Sequence, residues 1–270
     1  MRLVLTLLTL LLCIDMIIGL PGASVVGNRV SSSAFSPSDI AGLQLWLKSD
    51  AGVLDATDTP ITADNTQVKT WQDQSGNGLD AVQATGALQP VWRNAANGIN
   101  GNPAIYFAGD IMATANLTAG AYTIFAVHKA TSHGLVYERG VSVSATVGEY
   151  LYTGTITITA RRLDGIDKTS SKNYNSSWGI SGNTQTTCHS FDGTHAGHTL
   201  RVNGSAISLT SVSAVDPGTA SANGALYIGA RAGAIAPITG FVTEIIYYDS
   251  VLPLADVLKV ESYLIDKWGT

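Results

Sequence analysis

The sequence predicts an all-β domain: two antiparallel sheets packed as a sandwich, with one helix at the C-terminal end. Three observations carry this. Short runs of β-branched and aromatic residues alternate apolar with polar positions, and clusters of Gly, Asn, Asp and Ser punctuate them at short intervals. One segment near the C-terminus repeats its apolar residues at helical spacing. The composition is 45% apolar with 28 glycines and only 13% charged residues, which suits a turn-rich packed domain and excludes a disordered chain. At 270 residues one large sandwich accounts for the length.

The chain divides into three parts. Residues 1–24 form an apolar leader, in which Arg2 precedes Leu3 to Ile14 and Asp15 interrupts the run before Met16-Ile17-Ile18. This is shorter than the ~20 apolar residues of a membrane span. One positive charge, an apolar core and the small residues Gly22-Ala23-Ser24 fit a secretory signal peptide, although Pro21 suits a cut after Ala23 poorly. The competing reading is a retained anchor, since so apolar a segment needs burial in a virion or homo-oligomer partner. Residues 25–38 are Ser-rich and read as a linker, and 39–270 as the sandwich.

Within the sandwich, Leu43, Leu45 and Leu47 alternate with Gln44, Trp46 and Lys48, the pattern of a half-buried strand. Residues 50–65 are loop-like. Val68 to Gln72 is a short strand, followed by the turn Asp73-Gln-Ser-Gly-Asn-Gly78. Ala104 to Phe107 is a strand. Tyr122 to Lys129 is the longest clean one, with Phe125 and Val127 on one face and Ile124, Ala126 and His128 on the other. Thr155 to Arg161 alternates Thr with Ile. Asn203-Gly204 suits a type I′ hairpin turn. Leu226 to Gly229 and Phe241 to Tyr248 are further strands. Val257, Val260, Leu264 and Trp268 stripe the helix, with Pro253 in its first turn, Asp256 near its start and Gly269 at its end. Trp46, Trp71 and Trp268 are core residues on this reading, and Cys188 is a small buried hydrophobe.

Three segments carry a family resemblance: Gly42 to Val53, Val68 to Ala81 with its Trp-Gln-Asp-Gln-Ser-Gly-Asn-Gly core, and Glu244-Ile-Ile-Tyr-Tyr-Asp249 leading into the helix that ends Lys267-Trp268-Gly269. Together they resemble a laminin G-like domain of the concanavalin A-like lectin and glucanase superfamily. The resemblance covers Ser36 to Gly269 and implies a jelly-roll sandwich, with the helix packed after the last strand. It implies function less sharply, because this sandwich hosts lectins, hydrolases and viral modules alike.

The residues narrow the choice. The net charge is −5 and no Lys/Arg run exists, so the basic stripe of a nucleic-acid groove is absent. Cys13 and Cys188 make neither a disulfide framework nor a cysteine metal site. Laminarinase-type relatives place two glutamates and an aspartate on one strand. The four glutamates here, Glu138, Glu149, Glu244 and Glu261, do not match that spacing. No serine sits in a Gly-x-Ser-x-Gly elbow. His195-Ala-Gly-His198, with Asp192, has loose spacing for zinc and reads as an exposed turn. Asp73 and Asn77, aided by Asp50 or Asp80, are candidate calcium ligands, because the superfamily holds calcium near the sandwich rim. The same Asp73 and Asn77 can instead build an Asx turn, the reading the sequence favours.

For sugar binding the useful chemistry is an aromatic face beside amides and carboxylates. Residues 167–178 read as a long polar loop, with Tyr174 and Trp178 close to Asn173, Asn175 and Asn183, and it is the best such stretch. Asn116, Asn175 and Asn203 open glycosylation sequons. The function expected from the sequence is a non-catalytic lectin-like module at an extracellular or virion surface, an attachment or decoration subunit contacting glycans or neighbouring subunits. The alternative is a secreted glycan-cleaving hydrolase of the same fold.

Overall fold

A computed structural model describes residues 35–118, 120–142, 145–153, 156–162, 168–174, 182–219 and 223–270. The strands run, in chain order, β1 Leu43–Lys48, β2 Val53–Leu54, β3 Thr66–Gln67, β4 Thr70–Trp71, β5 Ala81–Val82, β6 Val91–Arg93, β7 Ala104–Ala108, β8 Met112–Leu117 and β9 Tyr122–Ala130. Then come β10 Gly134–Ser142, β11 Ala145–Thr153, β12 Ile156–Arg162, β13 Lys168–Tyr174, β14 Gln185–Phe191, β15 Thr199–Val202 and β16 Ser205–Ala206. β17 Thr210–Ala214, β18 Gly224–Ile228, β19 Thr239–Tyr248 and the helix α1 Leu254–Trp268 complete the order.

The described strands form two antiparallel sheets. One runs β16-β15-β14-β9-β19-β7-β6-β3, with β1 also paired to β19; the other, ten-stranded, runs β17-β13-β12-β11-β10-β18-β8-β5-β4-β2. The main core lies between them, where Leu45, Leu47, Phe107, Ile124 and Ala126 of the first sheet meet Met112, Val136, Leu151, Leu226 and Ile228 of the second. A second core covers the outer face of the first sheet. There Trp46, Phe125, Val127, Cys188, Ile246 and Tyr248 receive Val257, Val260, Leu264 and Trp268 of α1. Both faces of β9 are therefore buried, divided between the two cores as its alternation predicts. Each fully buried aliphatic of the α1 stripe contributes roughly 1.5–3 kcal/mol.

Several sequence signals become specific geometry. Asn203 and Gly204 take φ of 47° and 76°, as a type I′ turn demands. Gly269 ends α1 in the left-handed region at φ 69°, its N–H bonded to Ile265 O. Pro253 stands at the N-cap rather than inside the first turn. The strand read over Val68 to Gln72 shrinks to Thr70–Trp71.

Two differences are larger. Residues 35–38, read as linker, pack on the domain: Phe35 meets Tyr263 edge-on at 6.2 Å, and Tyr248 Oη donates to Pro37 O. The stretch read as a polar loop from 167 is a strand over Lys168–Tyr174, paired on both sides. Ser170 and Lys172 fit this strand because the interior beside it is polar: Ser170 Oγ bonds His198 Nδ1, and Lys172 Nζ donates to His198 O.

Candidate functional site

Cross-strand register builds a row of side-chain positions along the outer face of the ten-stranded sheet. Tyr227 of β18 stands opposite Glu138 of β10, and Glu138 stands opposite Tyr150 of β11. The row continues through Ala113 to Val82 on one side, and through Thr159 and Ser171 to Ser213 on the other. Two residues along β11, Tyr152 stands opposite Leu135 and Thr157, and Thr157 stands opposite Asn173. Tyr150, Tyr152 and Tyr227 are half-buried, so each ring keeps part of its surface in solvent. At ~4.8 Å per strand, Tyr227 and Tyr150 flank Glu138 with about 10 Å between their strands.

Glu138 forms the floor between these tyrosines and is only 1% exposed. Arg231 Nε donates to both of its oxygens, at 3.1 and 2.8 Å, and the arginine side chain remains 29% exposed. The face therefore offers tyrosine rings and a neutralised ion pair, with Ser171 and Ser213 farther along the row. Such rings pack against the C–H surface of a sugar while their hydroxyls and the polar neighbours bond its hydroxyls.

The other three glutamates are held as firmly. Glu149 is fully buried on the opposite face of the same sheet, with both oxygens accepting from Arg139 Nε at 3.1 and 3.0 Å. Gly148 makes room for that pair, since a Cβ there would lie 2.5 Å from the guanidinium carbon. Glu261 pairs with Arg201 across α1 and β15. Glu244 lies under α1 and accepts four donors: Trp46 Nε1, Tyr263 Oη, Lys267 Nζ and Trp268 Nε1.

Between the sheets, toward β13 and β14, runs a chain of hydrogen bonds. Tyr137 Oη meets His189 Nδ1 at 3.0 Å; His189 Nε2 meets Tyr122 Oη at 2.9 Å and His198 Nε2 at 2.8 Å. His198 Nδ1 and His195 Nδ1 share Ser170 Oγ, at 2.8 and 2.7 Å, and His195 Nε2 meets Ser211 Oγ at 2.7 Å. With His189 protonated on Nδ1 and His198 on Nε2, both rings are neutral, and the one lone pair on His189 Nε2 is shared by Tyr122 Oη and His198 Nε2. Burial holds His189 well below the ordinary imidazole range, helped by His198. Burial, Lys172 and His195 push His198 down to about 3. The exposed turn read at His195-Ala-Gly-His198 is thus half wrong: His198 is fully buried. Its Ser170 partner lies 28 residues upstream, which local spacing does not reveal. Among the described residues no group of three or more His, Cys, Asp or Glu is placed to hold a metal ion.

The sequence-predicted calcium ligands have other partners. Asp73 Oδ1 accepts the N–H groups of Trp46 and Ser75, and Oδ2 accepts Ser75 Oγ and the Leu79 N–H. Asn77 turns its Nδ2 toward the carbonyls of Leu43 and Gln44. Asp50 Oδ1 accepts from Lys267 Nζ. Asp80 accepts the Asp73 N–H. Asp73 and Asn77 thus lace the turn to β1, the Asx role. Asp73→Ala is expected to cost about 2–3 kcal/mol by stranding these amides. A chelator is expected to leave Tm unchanged, and both outcomes are read by thermal denaturation. Of the sequence-predicted sugar ligands, Asn173 stands opposite Thr157, in register with Tyr152, while Tyr174 stands opposite Ile156. Asn175 and Trp178 lie outside the described residues.

No family model and no curated protein sequence matches the chain. Solved structures do. Domain 4 of the extracellular arabinanase AbnA from Geobacillus stearothermophilus, determined with arabinotriose, is similar at TM-score 0.52 and 14% identity, over 81% of this chain and 98% of that one. An arabinofuranosidase in complex with arabinofuranosyl-xylobiose gives 0.56 and 17%, over 87% of this chain and 65% of that one. The binding domain of botulinum neurotoxin serotype D gives 0.54 and 13%, over 83% and 52%. This chain spans about two thirds of the second and half of the third. At these identities the likeness establishes the β-sandwich fold.

Proposed function

We propose that this protein is a non-catalytic glycan-binding module of laminin G-like type, displayed outside the cytoplasm on a secreted or virion surface. Its ligand lies across the Tyr227–Glu138–Tyr150 row of the ten-stranded sheet. The observation that carries the reading is that row: solvent-facing tyrosines flank a carboxylate already neutralised by Arg231. The similar structures include a domain determined with arabinotriose and an arabinofuranosidase in complex with arabinofuranosyl-xylobiose, which favours carbohydrate as the ligand class. The apolar leader fits either export or anchorage in a larger particle.

The hydrolase alternative needs two carboxyl groups about 5–9.5 Å apart on either side of one glycosidic bond. Glu138 and Glu149 sit on opposite faces of one sheet, and each is bound by an arginine. This supports binding without cleavage, and no reducing ends are expected from arabinan, xylan or β-glucan.

Affinity electrophoresis through gels cast with arabinan, xylan, β-glucan, galactan or sialylated glycoprotein tests the reading. Retardation by at least one polymer is expected. Tyr150→Ser and Tyr227→Ser are each expected to weaken it about tenfold, the loss of one aromatic packing surface. Absence of retardation in every gel, or retardation unchanged in both variants, contradicts it.

A further inference from the structure

A cleft of ≈ 240 Å³ opens at the far edge of the sandwich, beside β2. Its apolar wall is Val53, Pro60, Ile61 and Trp92, and its polar lining includes Asp50 and Gln72. We propose that this cleft is a second ligand site, separate from the tyrosine row, that takes a single neutral sugar ring at a chain end. The ligand class rests on the glycan-binding reading above; the location rests on the cleft's own residues.

The site is held in shape by bonds that leave its recognition groups unused. Trp92 Nε1 donates to Ser49 O at 2.9 Å, which fixes the indole against the loop carrying Asp50. Gly52 takes φ 67°, and a Cβ there would come 2.6 Å from Gln74 Nε2 and 2.9 Å from Gln72 Cβ. Only glycine lets this loop close on Gln72 and bring Asp50 and Gln72 to one cleft. Lys267 takes Asp50 Oδ1, so Oδ2 has no protein donor among the described residues. The half-buried Gln72 carboxamide likewise has no side-chain hydrogen bond among them.

A carboxylate oxygen and a carboxamide beside a fixed aromatic wall match the two surfaces of a sugar ring, hydroxyl edge and C–H face. Asp50 disfavours an anionic ligand. The volume lies below the ~300–1,000 Å³ of sites for drug-sized molecules, which suits one ring and not an oligosaccharide. In strand order β18, β8, β5, β4 and β2 follow one another, which puts β2 about 19 Å from the strand of Tyr227. Two sites that far apart on one module convert weak single contacts into avidity for a polymer surface.

Saturation-transfer NMR on the full chain with methyl α-L-arabinofuranoside, methyl β-D-xyloside and methyl β-D-glucoside tests this. At least one glycoside is expected to bind. Gln72→Ala, which removes the amide, and Ala51→Leu, which fills the cleft, are each expected to weaken it about tenfold. Two results overturn the cleft alone: polymer retardation without any single-ring signal, or a single-ring signal that follows Tyr150→Ser and ignores both cleft variants. Loss of polymer and single-ring binding together overturns the glycan-binding reading with it.

Discussion

Glu244→Ala is expected to lower Tm by about 10 °C, the largest single-site effect in the domain. Glu244 is fully buried where β1, β19 and α1 meet. Its Oε1 accepts Trp46 Nε1 at 2.7 Å and Tyr263 Oη at 2.8 Å; its Oε2 accepts Trp268 Nε1 at 2.8 Å and Lys267 Nζ at 2.9 Å. Removing the carboxylate strands two indole N–H groups and a hydroxyl and leaves Lys267, whose side chain is 14% exposed, with Asp50 as its one counter-ion among the described residues. Breaking one side of a buried ion pair costs about 3–5 kcal/mol, and a domain of this size loses ~2–4 °C per kcal/mol. Glu244→Gln keeps the shape and two acceptor sites, so its loss is expected to be smaller. Differential scanning calorimetry of both variants measures this. A Tm within 2 °C of wild type for Glu244→Ala (on the order of 1 kcal/mol) removes Glu244 as the clamp of the helix.

Acid is expected to unfold the protein before its carboxylates titrate. His128, His189 and His198 are buried and neutral in the folded state. Burial holds His128 down at about 4 and His198, with Lys172 and His195 nearby, at about 3. In the unfolded chain each takes a proton near pH 6.5. Stability is therefore full above about pH 6.5 and falls as pH drops toward 4, because the unfolded state binds more protons. Three such groups give a limiting slope of about 4 kcal/mol per pH unit. Tm should fall steeply between about pH 6 and 4.5, above the ordinary carboxylate range. His128 isolates one proton of the effect, since neither of its ring nitrogens has a hydrogen-bond partner among the described residues. His128→Leu is expected to raise stability at neutral pH by about 1–3 kcal/mol, and to make the acid slope shallower by roughly a third. A pH-independent Tm over that window contradicts the neutral buried chain.

The sequence disclosed what depends on neighbours in the chain. Alternation fixed both faces of β9, helical spacing fixed the α1 stripe, and Asn203-Gly204 announced its turn. Trp46, Trp71 and Trp268 are buried as their positions imply, and so is Cys188. Features that depend on which strand lies beside which were hidden. Tyr227 and Tyr150 join one row only because β10 separates them in the sheet, and they lie 77 positions apart in the chain. Glu244 has the wrong spacing for a catalytic pair, yet its role comes from donors at 46, 263, 267 and 268 converging on it. The His189–His198–Ser170 chain draws on three separate segments, which is why a polar stretch such as 168–174 looked like a loop.

The most direct test of the account is a chemical-shift map of the labelled protein titrated with the glycan that retards it most. Perturbations are expected to cluster on Ala113, Glu138, Tyr150, Tyr152 and Tyr227, across the outer face of the ten-stranded sheet. A map in which these residues stay unmoved while the glycan binds would contradict it.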